Sequence, residues 1–294
     1  MRKSAVAIVV ALAAALVACG NDSRPSPTAK PSATPSLVVA RPYGLLAPGS
    51  YRQSTPAPLV VVLHGYGASG RQQADYFGLL ADAEEHGYLL AYPDGLTDPR
   101  GSRFWNATDA CCNFYGNPVD DVAYLGAVID DVASRYTVDP NRVFVIGHSN
   151  GGFMAHRLAC EIGGRLAAVI SLAGATWRNP ASCAAAATVN VLQVHGDLDQ
   201  TILYDGSDVY PSAAQTVAIW AQKNRCAGAL EGRGADKDLD SGIAGPETRV
   251  EGHAGCPPGG AADLWTLEGG GHTPSLGPSW ADEAWAYFSA HAKP

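Results

Sequence analysis

The chain has 294 residues, 47% of them hydrophobic and 16% charged, so it can bury a large core and does not have the composition of a disordered protein. The net charge of -8 and the absence of a basic run argue against a nucleic-acid partner, because phosphate binding needs a concentrated Lys and Arg surface. The length permits two domains, but α/β proteins often use about 250 residues around a single sheet. We therefore expect one sheet-centred domain.

The first residues have the pattern of an export signal. Arg2 and Lys3 supply the positive start, and residues 5–18 form an apolar run that is too short to cross a membrane as a mature helix. The run ends with LVACG at 16–20, which resembles the lipobox of bacterial lipoproteins, where the cysteine, here Cys19, carries the lipid. The alternative is an ordinary cleaved signal beside an incidental cysteine. We predict a lipoprotein signal at 1–18 and lipidation at Cys19.

The segment after the signal has the composition of a linker. Residues 19–37 are rich in Ser, Pro, Thr and Ala and have few large apolar side chains, so they cannot offset the entropy cost of ordering. We predict a flexible tether that holds a domain at 38–294 outside the cell. The predicted location is extracellular or at the cell surface, with the lipid as the only contact with a bacterial membrane.

The cysteine count supports an oxidising compartment. Setting Cys19 aside leaves an even set of six, which suits disulfides, although buried free thiols are the alternative: Cys111, Cys112, Cys160, Cys183, Cys226 and Cys256. We predict a Cys226–Cys256 bridge, because these two flank a long Gly-rich segment, and closing such a loop stabilises by roughly 3 to 4 kcal/mol. Adjacent Cys111 and Cys112 are expected to reach Cys160 and Cys183 rather than each other, and the sequence leaves their connectivity open.

Short apolar runs alternate with helical patterns from Pro58 onward. We predict strands at 59–63, 88–92, 142–146, 167–172, 190–194 and 263–267, and helices at 72–86, 119–136, 150–160 and near 280–290. Strands that alternate with helices predict an α/β fold with a mainly parallel sheet covered on both faces. Reactive residues of such sheets collect on loops beyond the carboxyl ends of the strands.

A serine bounded by glycines lies between a predicted strand and a predicted helix. The sequence GHSNG at 147–151 matches G-x-S-x-G, whose glycines permit a tight turn and clear space around the hydroxyl. We predict that Ser149 is a nucleophile; the alternative is a glycine-rich turn capped by serine. Because a serine hydroxyl is a weak nucleophile until a base takes its proton, a histidine is also required.

Two later loops offer the base and a carboxylate. His272 follows the last strand in GGGHT at 269–273, as the chain order serine, acid, histidine requires, and its alternative is an ordinary polar loop residue. The sequence HGDLD at 195–199 offers two carboxylates, and we choose Asp199 over Asp197 as the one that orients the imidazole. A metal site of His195, Asp197 and Asp199 is a competing interpretation. We predict no metal, because no further His or Asp cluster completes the coordination.

Backbone N–H groups are the usual donors to the negative charge that develops on a substrate oxygen. Asn150, the first residue of the helix after the serine, and Tyr66 in HGYG at 64–67 are predicted to supply these groups. The alternative for the 64–67 loop is a glycine turn without substrate contact. His64 and His195 are assigned to supporting loops, and the side chain of His148 is expected to point away from the serine.

Taken in order, these motifs resemble the secreted polyhydroxybutyrate depolymerase and feruloyl or acetylxylan esterase family of the α/β-hydrolase superfamily, including its lipoprotein members. The matching pieces are VVVLHG at 60–65, Cys111-Cys112 before VDDV at 119–122, GHSNGG at 147–152, HG at 195–196 with Asp199, and GGGH at 269–272. The resemblance implies an α/β-hydrolase fold without cofactor or metal, and acyl-enzyme chemistry on esters. Two positions depart from the family: TPS at 273–275 stands where Trp-Pro-Gly is frequent, and Tyr66 stands where many depolymerases have Cys.

Substrate recognition is predicted only coarsely. Trp105, Tyr115 and Trp177 lie near the reactive edge and are candidates for a substrate pocket, although such aromatic residues more often pack beneath loops. We expect a small or oligomeric ester as the substrate. Two rival functions stay open: a serine peptidase of the prolyl-oligopeptidase type, and a non-catalytic surface lipoprotein with the same fold.

Overall fold

The computed structural model of the chain describes Met1 and residues 34–183 and 187–294. Apart from Met1, the predicted signal at 1–18 and the lipidation site Cys19 lie outside the described residues, as does the tether up to residue 33. Helix α1 (Thr34–Ala40) begins inside the predicted tether, and Val38 on this helix packs against the core. Residues 34–37 are therefore helical, whereas the sequence predicted a flexible linker there. Within the described residues, no helix combines the length and the apolar character that a membrane crossing requires.

The elements alternate along the chain much as the sequence patterns predict. The strands are β1 Gly44–Leu46, β2 Ala57–Leu63, β3 Leu89–Tyr92, β4 Leu96–Thr97, β5 Arg103–Phe104, β6 Val138–His148, β7 Ala168–Leu172, β8 Asn190–Gly196, β9 Leu230–Gly232, β10 Thr248–His253 and β11 Ala262–Leu267. The helices after α1 are α2 Gly70–Tyr76, α3 Leu79–His86, α4 Asp121–Arg135, α5 Asn150–Ile162, α6 Ala213–Asn224 and α7 Ser279–Ala290.

One nine-stranded sheet organises the domain, in the order β1-β3-β2-β6-β7-β8-β11-β10-β9. The strands from β3 to β11 in this order pair in parallel, whereas β1, β10 and β9 add antiparallel edges. The parallel centre brings the carboxyl ends of β2, β6, β8 and β11 to one edge of the sheet. The predicted α/β fold with a mainly parallel sheet is confirmed.

Both faces of the sheet are covered, which explains the continuous apolar strands. In β2, the side chains of Leu59, Val61 and Leu63 belong to the core under α4, α5 and α6, and those of Val60 and Val62 to the core under α2, α3 and α7. Successive strand residues point to opposite faces, so a strand buried on both sides is apolar throughout.

Some boundaries differ from the sequence prediction. The helix predicted at 72–86 is two helices, α2 and α3, because Gly78 adopts a left-handed conformation (φ 70°) between them. The antiparallel strands β1, β9 and β10 and helix α6 were not predicted. Edge strands are short or only half-buried, as Gly44–Leu46 is, and so carry a weak hydrophobic pattern.

The disulfides partly correct the predicted pairing. The predicted Cys226–Cys256 bridge is confirmed. The expectation that Cys111 and Cys112 reach Cys160 and Cys183 is wrong, since Cys111 pairs with Cys112. Cys160 at the end of α5 instead pairs with Cys183, and their Cα atoms lie 5.3 Å apart, the usual disulfide separation.

Candidate active site

Ser149 occupies a sharp turn between β6 and α5. Its φ of 52° is rare for a residue with a side chain, and its N–H donates to the Leu172 carbonyl at 2.8 Å, which fixes the turn. Only glycine fits two residues before and two residues after the serine. A Cβ on Gly147 would lie 2.2 Å from the Gly151 oxygen, and one on Gly151 would lie 2.2 Å from the Leu63 oxygen. These close approaches explain the two glycines of the motif.

His272 lies beyond β11 and faces the serine. Its Nε2 is 3.0 Å from the Ser149 Oγ. The backbone of the histidine is held by His148, whose Nε2 lies 2.8 Å from the His272 carbonyl oxygen and donates to it. Burial lowers the pKa of His148 to about 4, so that ring is neutral at neutral pH and keeps a single N–H for this bond.

Asp199 lies on the opposite side of the same imidazole. Its Oδ2 is 2.7 Å from Nδ1 of His272, while its Oδ1 accepts the N–H groups of Thr201 (2.8 Å) and Ile202 (2.9 Å). Burial alone would raise the pKa of Asp199, but hydrogen bonds from His195, His272 and the Ile202 backbone lower it below its usual range. An ionised carboxylate therefore accepts a hydrogen bond from the Nδ1–H group of His272, which keeps the proton on Nδ1 and leaves Nε2 free to accept the serine proton.

Two backbone N–H groups lie beside the serine without a partner among the described residues, those of Tyr66 and Asn150. The Tyr66 loop runs next to the serine, since a Cβ on Gly65 would lie 3.5 Å from the Ser149 Cβ. His64 supports that loop, because its Nδ1 donates to the Gly65 carbonyl and its Nε2 accepts the Gly95 N–H at 2.9 Å. Free N–H groups in this position can bind an oxyanion.

Comparison with known proteins agrees with this geometry. The family described as Phospholipase/Carboxylesterase matches residues 120–224, which include the serine turn. The protein named "Putative esterase NocK" of Nocardia uniformis is 29% identical, with 92% of this chain and 89% of the relative covered. Feruloyl esterase D of Neurospora crassa is 27% identical, with 90% of this chain and 85% of the relative covered. The acetyl xylan esterase structure from Aspergillus awamori matches with a TM-score of 0.59 at 17% identity, over 83% of this chain and 92% of its own.

The chain has an α/β-hydrolase fold, and its relatives make it a carboxylic ester hydrolase. The esterase is held together around its site by pairing between the β8 and β11 loops: the N–H of Leu198 donates to the Gly270 carbonyl at 2.9 Å, and a Cβ on Gly196 would lie 2.3 Å from the same oxygen. Asp197 adds a third contact, since its Oδ1 accepts the Gly269 N–H at 2.7 Å. This pairing sets Asp199 against the segment that carries His272.

The metal interpretation of the HGDLD sequence does not match these contacts. His195 Nε2 faces the Ile202 carbonyl at 2.8 Å, Asp197 binds a backbone N–H, and Asp199 binds the imidazole of His272. His195 Nε2 and Asp199 Oδ2 lie 3.3 Å apart, but Asp197 is turned to the Gly269 backbone, so the three side chains do not present donor atoms to a common point.

The predicted pocket residues behave differently from one another. Trp105 is 0% exposed, so the prediction that it lines the substrate pocket is wrong; its N–H and carbonyl bind the Asn150 side chain, and its indole N–H binds the His64 carbonyl. Trp177 is half-buried against the core. Tyr115 is exposed, as is Phe114, whose ring meets the Tyr66 ring edge-on at 5.3 Å.

The sequence prediction missed two groups of residues in the esterase. The first is His148, which was expected only to point away from the serine and in fact donates to the backbone carbonyl of His272. The second is a pair of exposed apolar side chains on the loop that carries Asp199, which the sequence marks only as apolar residues within a loop: Leu198 and Leu203.

Proposed function

We propose that the protein is a serine esterase in which Ser149, His272 and Asp199 form a catalytic triad. The observation that carries the proposal is the continuous set of hydrogen bonds from serine to imidazole to carboxylate, at 3.0 and 2.7 Å. These distances lie within the reach that proton transfer needs. The carboxylate fixes the tautomer in which Nε2 accepts the proton.

The proposed reaction proceeds through an acyl-enzyme. The Ser149 oxygen attacks the ester carbonyl carbon as His272 takes its proton, and the carbonyl oxygen becomes an oxyanion bound by the N–H groups of Tyr66 and Asn150. The imidazolium then protonates the leaving alcohol as the carbon–oxygen bond breaks. Water, deprotonated by the same imidazole, attacks the acyl-enzyme and releases the acid and the free serine.

The test of the triad is the Ser149→Ala variant. We expect it to lose hydrolysis of p-nitrophenyl acetate and labelling by an organophosphonate probe, with an unchanged circular dichroism spectrum. Ser134→Ala, at an exposed serine on α4, is the matched control and should keep both. Wild-type activity in Ser149→Ala would place the nucleophile elsewhere, and an unlabelled, inactive wild type would favour the non-catalytic alternative.

We propose an ester with an aromatic acyl group as the preferred substrate. Exposure of apolar side chains to water is unfavourable, and a cluster of such side chains marks a binding surface. Here the exposed ring of Phe114 (67% exposed) packs edge-on against that of Tyr66 (36%) beside the serine, and Leu198 (63%) lies on the loop that carries Asp199. A planar acyl group can bury apolar surface against these side chains. One relative is named a feruloyl esterase, and a feruloyl ester has such an acyl group.

A substrate panel tests this preference. Methyl ferulate, acetylated xylan, short p-nitrophenyl esters and hydroxybutyrate oligomers should be compared by kcat/KM, together with a peptide library for the peptidase alternative. Phe114→Ala should raise KM for methyl ferulate and leave p-nitrophenyl acetate unchanged, whereas Val39→Ala, at an exposed apolar residue of α1, should change neither. Equal effects of Phe114→Ala on both esters would contradict the proposed contact.

The proposed location is the outer surface of a bacterial membrane, through lipid on Cys19. The signal pattern at 1–18 and the disulfides of the catalytic domain support export, since disulfides persist in oxidising compartments. Membrane fractionation of cells that express the wild type or Cys19→Ala tests it. Recovery of both proteins in the soluble fraction would contradict the anchor.

A further inference from the structure

A line of buried hydrogen bonds connects α6 with the loop that carries Asp199. The indole Nε1 of Trp220 lies 3.0 Å from Nδ1 of His156 on α5, and Nε2 of His156 lies 2.9 Å from Oε1 of Gln193 on β8. The amide Nε2 of Gln193 lies 3.1 Å from Nδ1 of His195. These four side chains are at most 1% exposed, so their polar atoms have no access to water.

The line ends at the acid of the proposed triad. The Nε2 atom of His195 lies 2.8 Å from the Ile202 carbonyl oxygen and 3.3 Å from Oδ2 of Asp199. The same Asp199 oxygen accepts a hydrogen bond from the Nδ1–H group of His272. His195 therefore contacts both the Asp199 carboxylate and Ile202, at the end of the 199–202 turn that positions this carboxylate.

Two groups of fixed polarity determine the position of every proton in this line. The Trp220 indole N–H can only donate, so Nδ1 of His156 accepts and its proton lies on Nε2. The Gly174 carbonyl can only accept, and it lies 2.9 Å from the side-chain nitrogen of Gln193, so that atom is the NH2 group. The second hydrogen of the NH2 group points to Nδ1 of His195 at 3.1 Å, which is closer than the Val194 carbonyl at 3.4 Å. The Nδ1 atom must therefore accept, which leaves the His195 proton on Nε2.

The alternative tautomer of His195 would oppose the site. A lone pair on Nε2 would face two acceptors, the Ile202 carbonyl and the Asp199 carboxylate. In the tautomer that Gln193 imposes, the same atom instead donates to them. Burial also lowers the pKa of His156 to about 4, so that ring stays neutral and carries one proton, as the line requires.

We propose that Gln193 and His156 are positioning residues, which lock His195 as the Nε2–H tautomer and so hold the 199–202 turn and the Asp199 carboxylate against His272. This inference rests on the proposed triad. A purely structural origin is a poor explanation for Gln193, since it stands between Leu192 and Val194 in a buried strand where an apolar side chain would pack without needing partners.

Nitrogen-15 NMR of histidine-labelled protein tests the tautomers without reference to activity. In the wild type we expect His156 and His195 both to carry a proton on Nε2 at neutral pH. Gln193→Met removes the donor and should make His195 adopt the Nδ1–H form in part or in full. Trp220→Phe should release His156 while Gln193 still fixes His195. An Nδ1–H form of His195 in the wild type, or an unchanged tautomer in Gln193→Met, would overturn the proposal.

Kinetics with a matched control test the consequence. Organophosphonate titration counts the active sites, so that kcat can be given per active site. On this basis Gln193→Met should lower kcat for p-nitrophenyl acetate by roughly ten- to a hundredfold with little change in KM, because a displaced carboxylate misaligns the imidazole. Asn190→Leu removes another buried amide from the same strand, remote from His195, and should lower stability while kcat stays at the wild-type value. Equal kcat in both variants and the wild type would overturn the proposal.

The two proposals fail in different ways. If the triad is wrong, Ser149→Ala keeps its activity, while the tautomers of His156 and His195 remain measurable. If only the positioning role is wrong, Ser149→Ala is inactive and Gln193→Met turns over like the wild type. Should Gln193→Met not fold, the tautomers of His156 and His195 in the wild type decide the question.

Discussion

Asp199 and Asp197 lie two residues apart on one turn and bind different parts of the same segment. Asp199 accepts a hydrogen bond from the imidazole Nδ1–H of His272 at 2.7 Å, whereas Asp197 accepts one from the backbone N–H of Gly269 at 2.7 Å, three residues before that histidine. One carboxylate thus contacts the imidazole and the other fixes the turn that leads to it. This division separates two acids that a sequence motif presents as equivalent.

Asp199→Asn should lower kcat by about a thousand- to ten-thousandfold. The two backbone N–H groups of Thr201 and Ile202 require an oxygen at the Oδ1 position, so the asparagine must turn its NH2 group towards Nδ1 of His272. The imidazole then carries its proton on Nε2 and cannot accept one from Ser149. Steady-state kinetics on p-nitrophenyl acetate measure the loss. Asp197→Asn keeps its acceptor oxygen for Gly269 and is the control; a comparable loss in that variant would contradict the assignment of the two acids.

The buried His64 makes stability depend on pH. Burial lowers its pKa to about 4, against about 6.5 in the unfolded chain, since protonation would displace the Gly95 N–H from Nε2. Between these values the unfolded state binds more protons, so stability is complete above about pH 6.5 and falls as the pH drops towards 4. The slope for this one group is roughly 1.4 kcal/mol per pH unit.

Urea unfolding at several pH values between 5 and 7 measures this slope. His148 and His156 contribute in the same direction, because burial lowers the pKa of each to about 4. His64→Gln, which has no titrating group, should therefore have a flatter profile than the wild type by about 1.4 kcal/mol per pH unit in this window. Parallel profiles for the two proteins would show that the pKa of His64 is the same in the folded and unfolded states.

The sequence predicted the parallel centre of the fold well because its strands are apolar on both faces. Runs such as Leu59 to Leu63 can be read without knowledge of the tertiary structure, and the G-x-S-x-G turn is local, with its glycines required by neighbours four residues away or in the adjacent strand. The choice of Ser149, His272 and Asp199 followed from motif order, and the structure brings their side chains within hydrogen-bonding distance.

What the sequence could not give were contacts between distant, individually ordinary residues. Trp105 is an aromatic residue of the kind that lines pockets, yet it is buried. The Asn150 side chain, 45 residues along the chain, binds both its backbone N–H and its carbonyl. Cys160 and Cys183 pair because the end of α5 and the segment after Asn179 lie side by side, which no local pattern encodes. Such pairings depend on the packing of whole elements.

The Cys226–Cys256 bridge should stabilise the domain more than the Cys111–Cys112 bridge. In the chain-entropy account the gain grows with loop length, and the bridges join residues separated by 30 and by 1 positions. We expect a loss of about 3 to 4 kcal/mol for the Cys226→Ser, Cys256→Ser double variant and about 1 kcal/mol for the Cys111→Ser, Cys112→Ser variant. Urea unfolding under non-reducing conditions measures both, and a larger loss in the second variant would contradict the loop-closure explanation.

Gly151→Ala should damage stability and activity together, because the serine turn is packed directly on β2. The added Cβ would lie 2.2 Å from the Leu63 carbonyl oxygen, a backbone atom that can move away only by displacing the strand end that leads to Tyr66. Overpacking of this kind costs about 1 to 3 kcal/mol, and displacement of the Tyr66 N–H should also lower kcat. Gly164→Ala is the control, since its Cβ would meet nothing closer than Ala187 at 3.8 Å. If both variants unfold at the same urea concentration and turn over ester equally fast, the turn is not as tightly packed against β2 as these distances require.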